Sequence, residues 1–384
     1  MSLQKNIEII CSRKRACAAA NADNNVPDDV LWNIFIRLPA KQVAQMRCVS
    51  KPWNALLSQQ SFIKSHLDHR SIRRMNDDEI LLVFKDGYLD FCHPFLTKNS
   101  RSSLIQLPKL PNSTPSCGSS IFIGSVNGLI CFADYHVIHI WNPSLSALTP
   151  LPSYTNTTIG DDMLFRFGFD PLNDDYKVVK ISLSLDEHGN IVQRSLEVEV
   201  YSLRKGFWEL VIGFPSHVSM ICNNDEVCVD GHAYWLCLVE DMFMRETIVA
   251  FDLAHETFRE ISLPNYMEDY TGSDRLNVLG VLSQKLCVIS CIHNGDCEVW
   301  LLMDHKWVKH HVLPPFDGKI MPIGFTPNNL FLFGIGRHLA LYDPDAAAVK
   351  LFNGIMNTPH SFTKVVPYVD SLIWPPTLRA INHL

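Results

Sequence analysis

The stretch "VPDDVLWNIFIRLP", residues 26–39, reads as a short helix whose apolar surface is unusually wide. On a helical wheel at 100° per residue, seven apolar side chains cover an arc of about 240°. They are Val30, Leu31, Trp32, Ile34, Phe35, Ile36 and Leu38. A helix that packs on one side of a small domain needs an apolar stripe only a little over about 100° wide. Half of this surface is therefore left without a role inside the helix's own domain.

Residues 26–70 read as a small helical head. Two acidic residues open the first helix, where they suit its positive end, and Pro39 ends it. A second helix over 41–48 and a third after the N-cap Ser50 follow. A unit of about 45 residues buries only a marginal core by itself. A head with more apolar surface than it can bury is expected to bind something else.

The body, from residue 79 onward, is rich in strands and carries a repeat. Five segments share one pattern: "WNPSLSAL" (141–148), "YSLRKGFW" (201–208), "FDLAHETF" (251–258), "WLLMDHKW" (300–307) and "YDPDAAAV" (342–349). Each begins with an aromatic residue that closes an apolar strand, passes through a polar stretch, and reaches an apolar residue seven positions later. This pattern predicts five hairpins whose end residues pair across adjacent strands.

The repeat spacing predicts a β-propeller. Successive leading aromatics are 60, 50, 49 and 42 residues apart, and another turn and strand stand before each hairpin. A weaker blade over 79–110 and a closing strand in "FTKVVPYVDSLI" (362–373) bring the expected count to about six blades. The predicted fold is thus a small all-α head followed by an all-β propeller. We expect the body to fold without the head and to need its C-terminus.

Composition and charge narrow the class of protein. The chain has 384 residues, 47% of them hydrophobic and 19% charged, which is ordinary for a globular protein. It contains no apolar run of 18 residues, and residues 1–25 read as a disordered leader without an export signal. Residues 1–70 carry ten Lys/Arg and five Asp/Glu, net +5, so the remainder must carry −12 to give the total of −7. We expect no membrane and no nucleic-acid partner, and a place in the cytoplasm and/or nucleus.

Catalytic and metal-binding motifs are missing from the sequence. It has no P-loop, no dinucleotide-binding glycine pattern, no H-E-x-x-H helix and no G-x-S-x-G elbow. The acidic pair at 174–175 reads as a solvated turn, and the His310–His311 pair as strand residues on opposite faces. The twelve cysteines are scattered without a C-x-x-C pair, so we expect them reduced, with neither a metal nor a disulfide needed for folding. The prediction is a protein without enzymatic activity, metal or cofactor.

The head resembles an F-box over residues 26–67. The likeness is carried by Pro27, Asp29, Val30, Leu38, Pro39, Lys41, the run "RCVSKPW" (47–53), Leu57 and the ending "SFIKSHL" (61–67). This resemblance implies docking on a Skp-type adaptor and, through it, on a cullin. The residues expected to contact the adaptor are Pro27, Val30, Ile34, Leu38, Pro39 and Val43. The wide apolar arc of the first helix would then serve both the head's own core and the adaptor.

The body resembles the F-box-associated, kelch-like propeller domain of a large plant family. The marks are "GSVNGLICF" (124–132), "IWNPS" (140–144), "FGFDPLNDDYKVV" (167–179) and "LALYDP" (339–344). The resemblance implies the substrate-recognition subunit of a Skp–cullin–F-box ubiquitin ligase, in which the body selects a protein for ubiquitination. The expected layout is an F-box over 26–70, a linker over 71–78, the propeller over 79–376 and a tail over 377–384. An alternative is an interaction module that binds a protein or a glycan without ubiquitin transfer.

Two loops are candidates for substrate binding. The longest repeat spacing places extra chain in "YTNTTIGDDMLF" (154–165) and "LSLDEHGNIVQRS" (183–195). Both are polar and rich in turn residues, and loops commonly carry recognition on a rigid scaffold. They are expected at a rim that faces the unknown protein substrate. The alternative, that both are ordinary surface loops, stays open.

Overall fold

The computed structural model describes residues 26–76, 80–84, 94–96, 120–134, 137–154, 162–183, 197–221, 227–239, 245–264, 275–292, 297–316, 319–352, 364–375 and 378. A helical head precedes a ring of antiparallel sheets, as predicted. The head consists of four helices: α1 (Asp28–Phe35), α2 (Ala40–Arg47), α3 (Lys51–Leu57) and α4 (Gln60–Asn76). The hydroxyl of Ser50 caps α3 by accepting from the backbone N–H of Trp53 at 3.3 Å, which confirms this N-cap.

Helix α4 extends further than the sequence reading expected. Its 17 residues run to Asn76 and cover most of the segment 71–78, which was predicted as a linker. The sequence contains neither proline nor glycine between Trp53 and Asn76. Gln60–Asn76 contains neither of these helix-breaking residues, and the helix continues past residue 70, so residues 71–76 are helical rather than an irregular linker.

Five blades of four or five strands form the larger part of the body. Blade 1 contains β3 (Ser120–Val126), β4 (Leu129–Asp134), β5 (Val137–Asn142) and β6 (Ala147–Pro150). Blade 2 contains β7 (Asp162–Asp170), β8 (Asp175–Leu183), β9 (Glu197–Ser202) and β10 (Phe207–Val211). Blade 3 contains β11 (Val218–Ile221), β12 (Val227–Val229), β13 (His232–Val239), β14 (Arg245–Asp252) and β15 (Thr257–Ser262). Blade 4 contains β16 (Arg275–Leu282), β17 (Lys285–Ile292), β18 (Cys297–Met303) and β19 (Lys306–Leu313), and blade 5 contains β20 (Ile320–Phe325), β21 (Phe331–Ile335), β22 (His338–Asp343) and β23 (Ala348–Phe352).

A further sheet has three strands within the described residues: β1 (Ile80–Phe84), β2 (Pro94–Leu96) and β24 (Lys364–Tyr368). The number of blades with at least four strands is therefore five, which corrects the prediction of about six. The inner strands of consecutive blades contact each other around the ring, β3 with β7, β7 with β12, β12 with β16, and β16 with β20. Strand β24 pairs with β1 in antiparallel register and contacts β3. This pairing confirms that a late strand joins the first sheet.

The motif "IWNPS" holds the segment that follows β24. The Asn142 amide donates to the carbonyl oxygens of Ser371 and Ile373 at 3.1 and 2.8 Å. The Ser144 hydroxyl donates to an Asp370 carboxylate oxygen at 2.7 Å. Gly128, in the turn between β3 and β4, has φ +82°, and a Cβ there would lie 2.4 Å from the Ser371 Cβ. Glycine at this turn thus permits both the backbone conformation and the close approach of the C-terminal segment.

Four of the five repeat hairpins have the cross-strand register that the sequence predicts. The residue pairs are Trp141–Leu148, Tyr201–Trp208, Phe251–Phe258 and Tyr342–Val349. In the fourth hairpin the prediction is wrong, because Trp307 lies opposite Leu302 rather than Trp300. Its turn consists of only Asp304 and His305, both with positive φ of 47° and 63°, as in a two-residue type I′ turn. The tighter turn shifts the register by two residues.

One pair of cysteines departs from the expectation of reduced thiols. Cys291 of β17 and Cys297 of β18 form a disulfide, with Cα atoms 4.1 Å apart. The sequence shows only that six positions separate them, whereas the strand register places them directly opposite each other. Five other described cysteines are free: Cys48, Cys131, Cys228, Cys237 and Cys287. That folding does not need a disulfide stays a prediction.

The head and the propeller share one hydrophobic core. Phe35 and Phe62 of the head belong to the same buried cluster as Ile123 of blade 1 and Leu372 and Leu378 of the C-terminal segment. The two regions are therefore packed against each other, and that the body folds without the head stays a prediction. Leu378 is fully buried, so it belongs to the core rather than to the predicted tail over 377–384. None of the described helices is long and apolar enough to cross a membrane.

Candidate protein-binding surface on the head

Helix α1 divides its wide apolar arc between two faces. Phe35 is 4% exposed and packs edge-on against Trp53, with ring centroids 5.0 Å apart. Trp32 makes a similar contact with Phe62 at 4.9 Å. On the opposite face Val30 and Ile34 are 42% and 50% exposed. The helix therefore fills the head's core with one face and presents a second apolar face to solvent.

Val26, two residues before α1, is a further exposed apolar side chain that the sequence analysis did not include among the contact residues. It is 49% exposed and precedes Val30 and Ile34 by four and eight positions. The chain is extended at Pro27, so Val26 is grouped with Val30 and Ile34 by its exposure and not by helical spacing. We define the outward face as Val26, Val30 and Ile34 and keep this name below.

Leu38 and Pro39 lie at the far end of α1, where the chain turns into α2. Leu38 is half-buried and Pro39 is exposed. Pro39 is the N-cap residue of α2 and makes no side-chain capping bond. The backbone N–H of Ala40 instead donates to the Asp370 carboxylate at 2.7 Å, across 330 positions of sequence. The C-terminal segment thus fixes the corner that carries Leu38 and Pro39.

A buried histidine supports the same corner from beneath. His66 is fully buried, and its Nε2 lies 2.9 Å from the Leu38 carbonyl oxygen, an arrangement in which the ring N–H donates. Burial lowers the pKa of His66 below its ordinary value, against the opposing effect of the Leu38 carbonyl. The folded protein therefore favours the neutral imidazole of His66 over the protonated form.

Of the six residues predicted to contact an adaptor, the structure places five at the surface. Pro27, Val30, Ile34 and Pro39 are exposed and Leu38 is half-buried. Val43 is fully buried in the core that the head shares with the propeller. A contact with a partner would require α2 to separate from its neighbours, so Val43 is omitted from the surface and acts as a core residue.

Charged side chains border the surface at both ends. Asp28 and Asp29 lie in the first turn of α1, where carboxylates suit the helix dipole. Arg37 and Lys41 are exposed near the corner between α1 and α2. An apolar strip with acidic residues at one end and basic residues at the other can dock in one orientation on a partner of complementary charge.

The predicted substrate loops lie largely outside the described residues. The structure describes 151–154 and 162–183, so most of the loops 154–165 and 183–195 is not placed. At the acidic pair 174–175, Asp175 is buried rather than solvated and accepts from the backbone N–H of Arg204 at 2.8 Å. Within the described ranges, no three His, Cys, Asp or Glu side chains cluster to form a metal site.

Fold and surface together define a class of protein. It has a small helical module with an exposed apolar strip, packed against a multibladed propeller. The chain matches the F-box domain over residues 24–65 and the F-box associated beta propeller domain over residues 79–331. The second match covers more than half of the chain, so the protein belongs to the family with an F-box associated β-propeller domain. The F-box interpretation of the head is thereby confirmed, while a kelch-like character of the blades stays a prediction.

Several similar proteins come from Arabidopsis thaliana. The chain is 28% identical to the F-box protein At3g10240 over 338 residues, which is 82% of this chain and 80% of the relative. It is 24% identical to the F-box/kelch-repeat protein At3g23880 over 335 residues, 83% of this chain and 88% of the relative. It is 24% identical to the F-box protein CPR1 over 306 residues, 74% of this chain and 72% of the relative. Each of these similarities covers about three quarters of the chain or more.

Proposed function

We propose that the protein is the substrate-recognition subunit of a Skp–cullin–F-box ubiquitin ligase. In this role the head binds a Skp-type adaptor through Pro27, Val30, Ile34, Leu38 and Pro39, and the adaptor connects it to a cullin. The propeller captures the protein to be ubiquitinated, and this subunit performs no chemical step. Such a complex would act in the cytoplasm and/or nucleus.

The observation that carries the proposal is the outward face. Val26, Val30 and Ile34 are each between 42% and 50% exposed on a head that packs its other apolar side chains against the propeller. An exposed apolar row on an F-box domain suits a protein partner, because its burial releases water from all three side chains. The head's basic excess also favours encounter with an acidic adaptor surface.

Contacts between the head and the propeller support a role in positioning a substrate. Lys64 forms an ion pair with Asp174 of the turn between β7 and β8 at 2.9 Å, and Asp370 lies 3.5 Å from Arg70 of α4. Together with the shared core, these contacts fix the propeller relative to the adaptor-binding surface. A ligase requires such a fixed geometry, because the substrate must be held at a defined distance from the transferring enzyme.

The proposal is tested by reconstitution of the full chain with a purified Skp-type adaptor and cullin. We expect a stable complex with the wild-type chain and its loss in Leu38→Arg, which places a cation in an apolar contact. Leu210→Arg is the matched control, because Leu210 is 64% exposed on β10, far along the chain from the head. Circular dichroism confirms that each variant is folded.

The outcomes separate the ligase from the alternative. A complex that forms equally with Leu38→Arg refutes the assigned surface. A chain that binds the adaptor but never assembles with the cullin refutes the ligase role and favours an interaction module without ubiquitin transfer.

A further inference from the structure

A cleft of about 720 Å³ lies between the outer strands of blades 3 and 4. Its walls come from β15 and the two residues that follow it on one side, and from the hairpin of β18 and β19 on the other. This volume falls within the range of about 300–1,000 Å³ that is typical of ligand sites. The cleft is remote in sequence from the outward face of the head.

The two preceding joints, between blades 1 and 2 and between blades 2 and 3, each hold an aromatic ring at a fixed position. Tyr154 follows β6 and packs against Trp208 of blade 2, with ring centroids 5.9 Å apart. Phe214 follows β10 and packs against Phe258 of blade 3 at 5.2 Å. Each ring stands six positions after the apolar residue that ends the repeat, Leu148 or Trp208.

At the joint between blades 3 and 4 the same position holds a proline. Six positions after Phe258 stands Pro264, which lines the cleft and does not supply a ring. Across the joint, Trp300 and Trp307 are only half-buried. Proline thus stands where the two preceding joints have a ring, and two indole rings border the cleft.

The floor of the cleft is apolar because both indole N–H groups are already used. Trp307 Nε1 donates to the Ser262 carbonyl oxygen at 2.6 Å, and Trp300 Nε1 donates to Glu298 at 3.1 Å. Leu302 lies opposite Trp307 on the same face of the hairpin. The rings consequently offer no free donor. One face of Trp300 is covered by Lys309, whose Nζ lies 5.8 Å from the ring centroid, and the remaining ring surface suits an apolar or aromatic side chain.

The rim of the cleft is positively charged. Arg259 extends from β15 toward the tight turn of blade 4, where its Nη1 lies 3.5 Å from Nδ1 of His305. Lys306 is exposed beside that turn. The lining also contains Glu260, whose Oε2 lies 2.9 Å from His217 Nε2 and which keeps its negative charge in that contact. Two cationic side chains, Arg259 and Lys306, therefore stand against one carboxylate, and the charge at the rim is positive by one.

This local charge is opposite to that of its surroundings. Residues 71–384 carry a net charge of −12, since the first 70 residues carry +5 and the whole chain −7. A cationic rim on an acidic body attracts an anionic segment to one place and repels it elsewhere.

We propose that this cleft binds an acidic peptide segment that carries an apolar side chain. The apolar side chain packs between Trp300 and Trp307, and carboxylates of the segment pair with Arg259 and Lys306. On the basis of the proposed function, this segment belongs to the protein that is ubiquitinated, and the cleft is a substrate-docking site.

The test is a selection of random twelve-residue peptides on the immobilised full-length protein, followed by fluorescence anisotropy of the enriched peptides. We expect enrichment of Asp and Glu around a Phe, Leu or Trp. Replacement of that residue by Ser in the peptide should weaken binding about tenfold or more, since the apolar contact is lost. Lys306→Glu should weaken binding by a similar factor, whereas Lys285→Glu, an exposed lysine at the start of β17, should change it less than about twofold.

Three results would overturn the proposal: no enrichment, enrichment of basic or neutral peptides, or equal binding by Lys306→Glu and Lys285→Glu. Unchanged thermal melting of both variants excludes misfolding as the cause. Adaptor binding is measured on the same preparations and should be unaffected by Lys306→Glu. Peptide binding without adaptor binding would refute the ligase role and leave the peptide site standing, and the reverse result would refute the peptide site alone.

Discussion

The head and the propeller bury their apolar residues in different ways. Blades 3 to 5 bury theirs within and between neighbouring sheets, as in the cluster around Phe331 and Phe333 of blade 5 and Ile289 of blade 4. The head places Phe35 and Phe62 in a core that it shares with blades 1 and 2 and the C-terminal segment. It still leaves Val30 and Ile34 in solvent. The head thus completes its core only together with the propeller, and it keeps two neighbouring turns of α1 apolar and exposed.

The largest effect should come from removing the segment that both regions share. A chain that ends at Asn357 lacks β24, Asp370 and Leu372, and so loses the partner of β1 and the cap of α2. The exposed edge of β1 and the opened core should cause aggregation and abolish a cooperative thermal transition. Light scattering and calorimetry measure this outcome. A soluble 1–357 chain that melts cooperatively would show that the two regions do not depend on the C-terminus.

Two neighbouring residues of α1 compare the inward and outward faces directly. Phe35→Ala should lower the free energy of unfolding by about 3–5 kcal/mol, because the Phe35 side chain is only 4% exposed and its removal leaves a cavity. Ile34→Ala should change it by no more than about 0.5 kcal/mol, because Ile34 is 50% exposed. Urea titration of both variants provides the measurement. Equal destabilisation would mean that α1 does not have two distinct faces.

The sequence predicted the division into head and propeller because both follow from local periodicity. Hairpins with a leading aromatic and an apolar residue seven positions later gave the correct register wherever four residues form the turn. The fourth hairpin failed, because the pattern does not reveal that Asp304 and His305 form the tighter turn. Periodicity also could not show that Val43 is covered by long-range packing, or that Pro264 lines a cleft between two blades. Such features depend on contacts between residues far apart in the chain.

A smaller effect should follow from uncoupling the head from the C-terminal segment at one carboxylate. Asp370→Ala leaves the N–H of Ala40 without its acceptor and removes the ion pair with Arg70. The expected loss of stability is about 1–2 kcal/mol, as for other helix caps. Asp345→Ala, at an exposed turn of blade 5, is the matched control and should change stability by less than about 0.5 kcal/mol. A loss no greater than that of the control would argue against Asp370 as a joint between the two regions.

The smallest effect should be a pH dependence that originates beneath the corner of the head. The pKa of His66 is lowered in the folded chain. At pH values between this lowered pKa and the ordinary pKa of histidine, the unfolded chain therefore binds a proton at His66 that the folded chain does not bind. The contribution of neutral His66 to the free energy of unfolding is therefore fully present above about pH 6.5. It decreases as the pH falls, by at most about 1.4 kcal/mol per pH unit. Melting temperatures of wild type and His66→Gln between pH 7.5 and 5.5 measure the difference. A wild-type melting temperature that falls no more steeply than that of the variant would contradict this assignment.

The measurement that tests the central claim most directly is the affinity of the full-length chain for a purified Skp-type adaptor. Ile34→Asp puts a carboxylate in the middle of the outward face, and Ile212→Asp makes the same change at a site that is 87% exposed after β10. By isothermal titration calorimetry we expect Ile34→Asp to weaken binding about 100-fold or more, because the charge loses its hydration in an apolar contact. Ile212→Asp should leave the affinity within about twofold of wild type. Equal affinities for the two variants, both folded, would contradict the claim that the exposed face of α1 is the adaptor-binding surface.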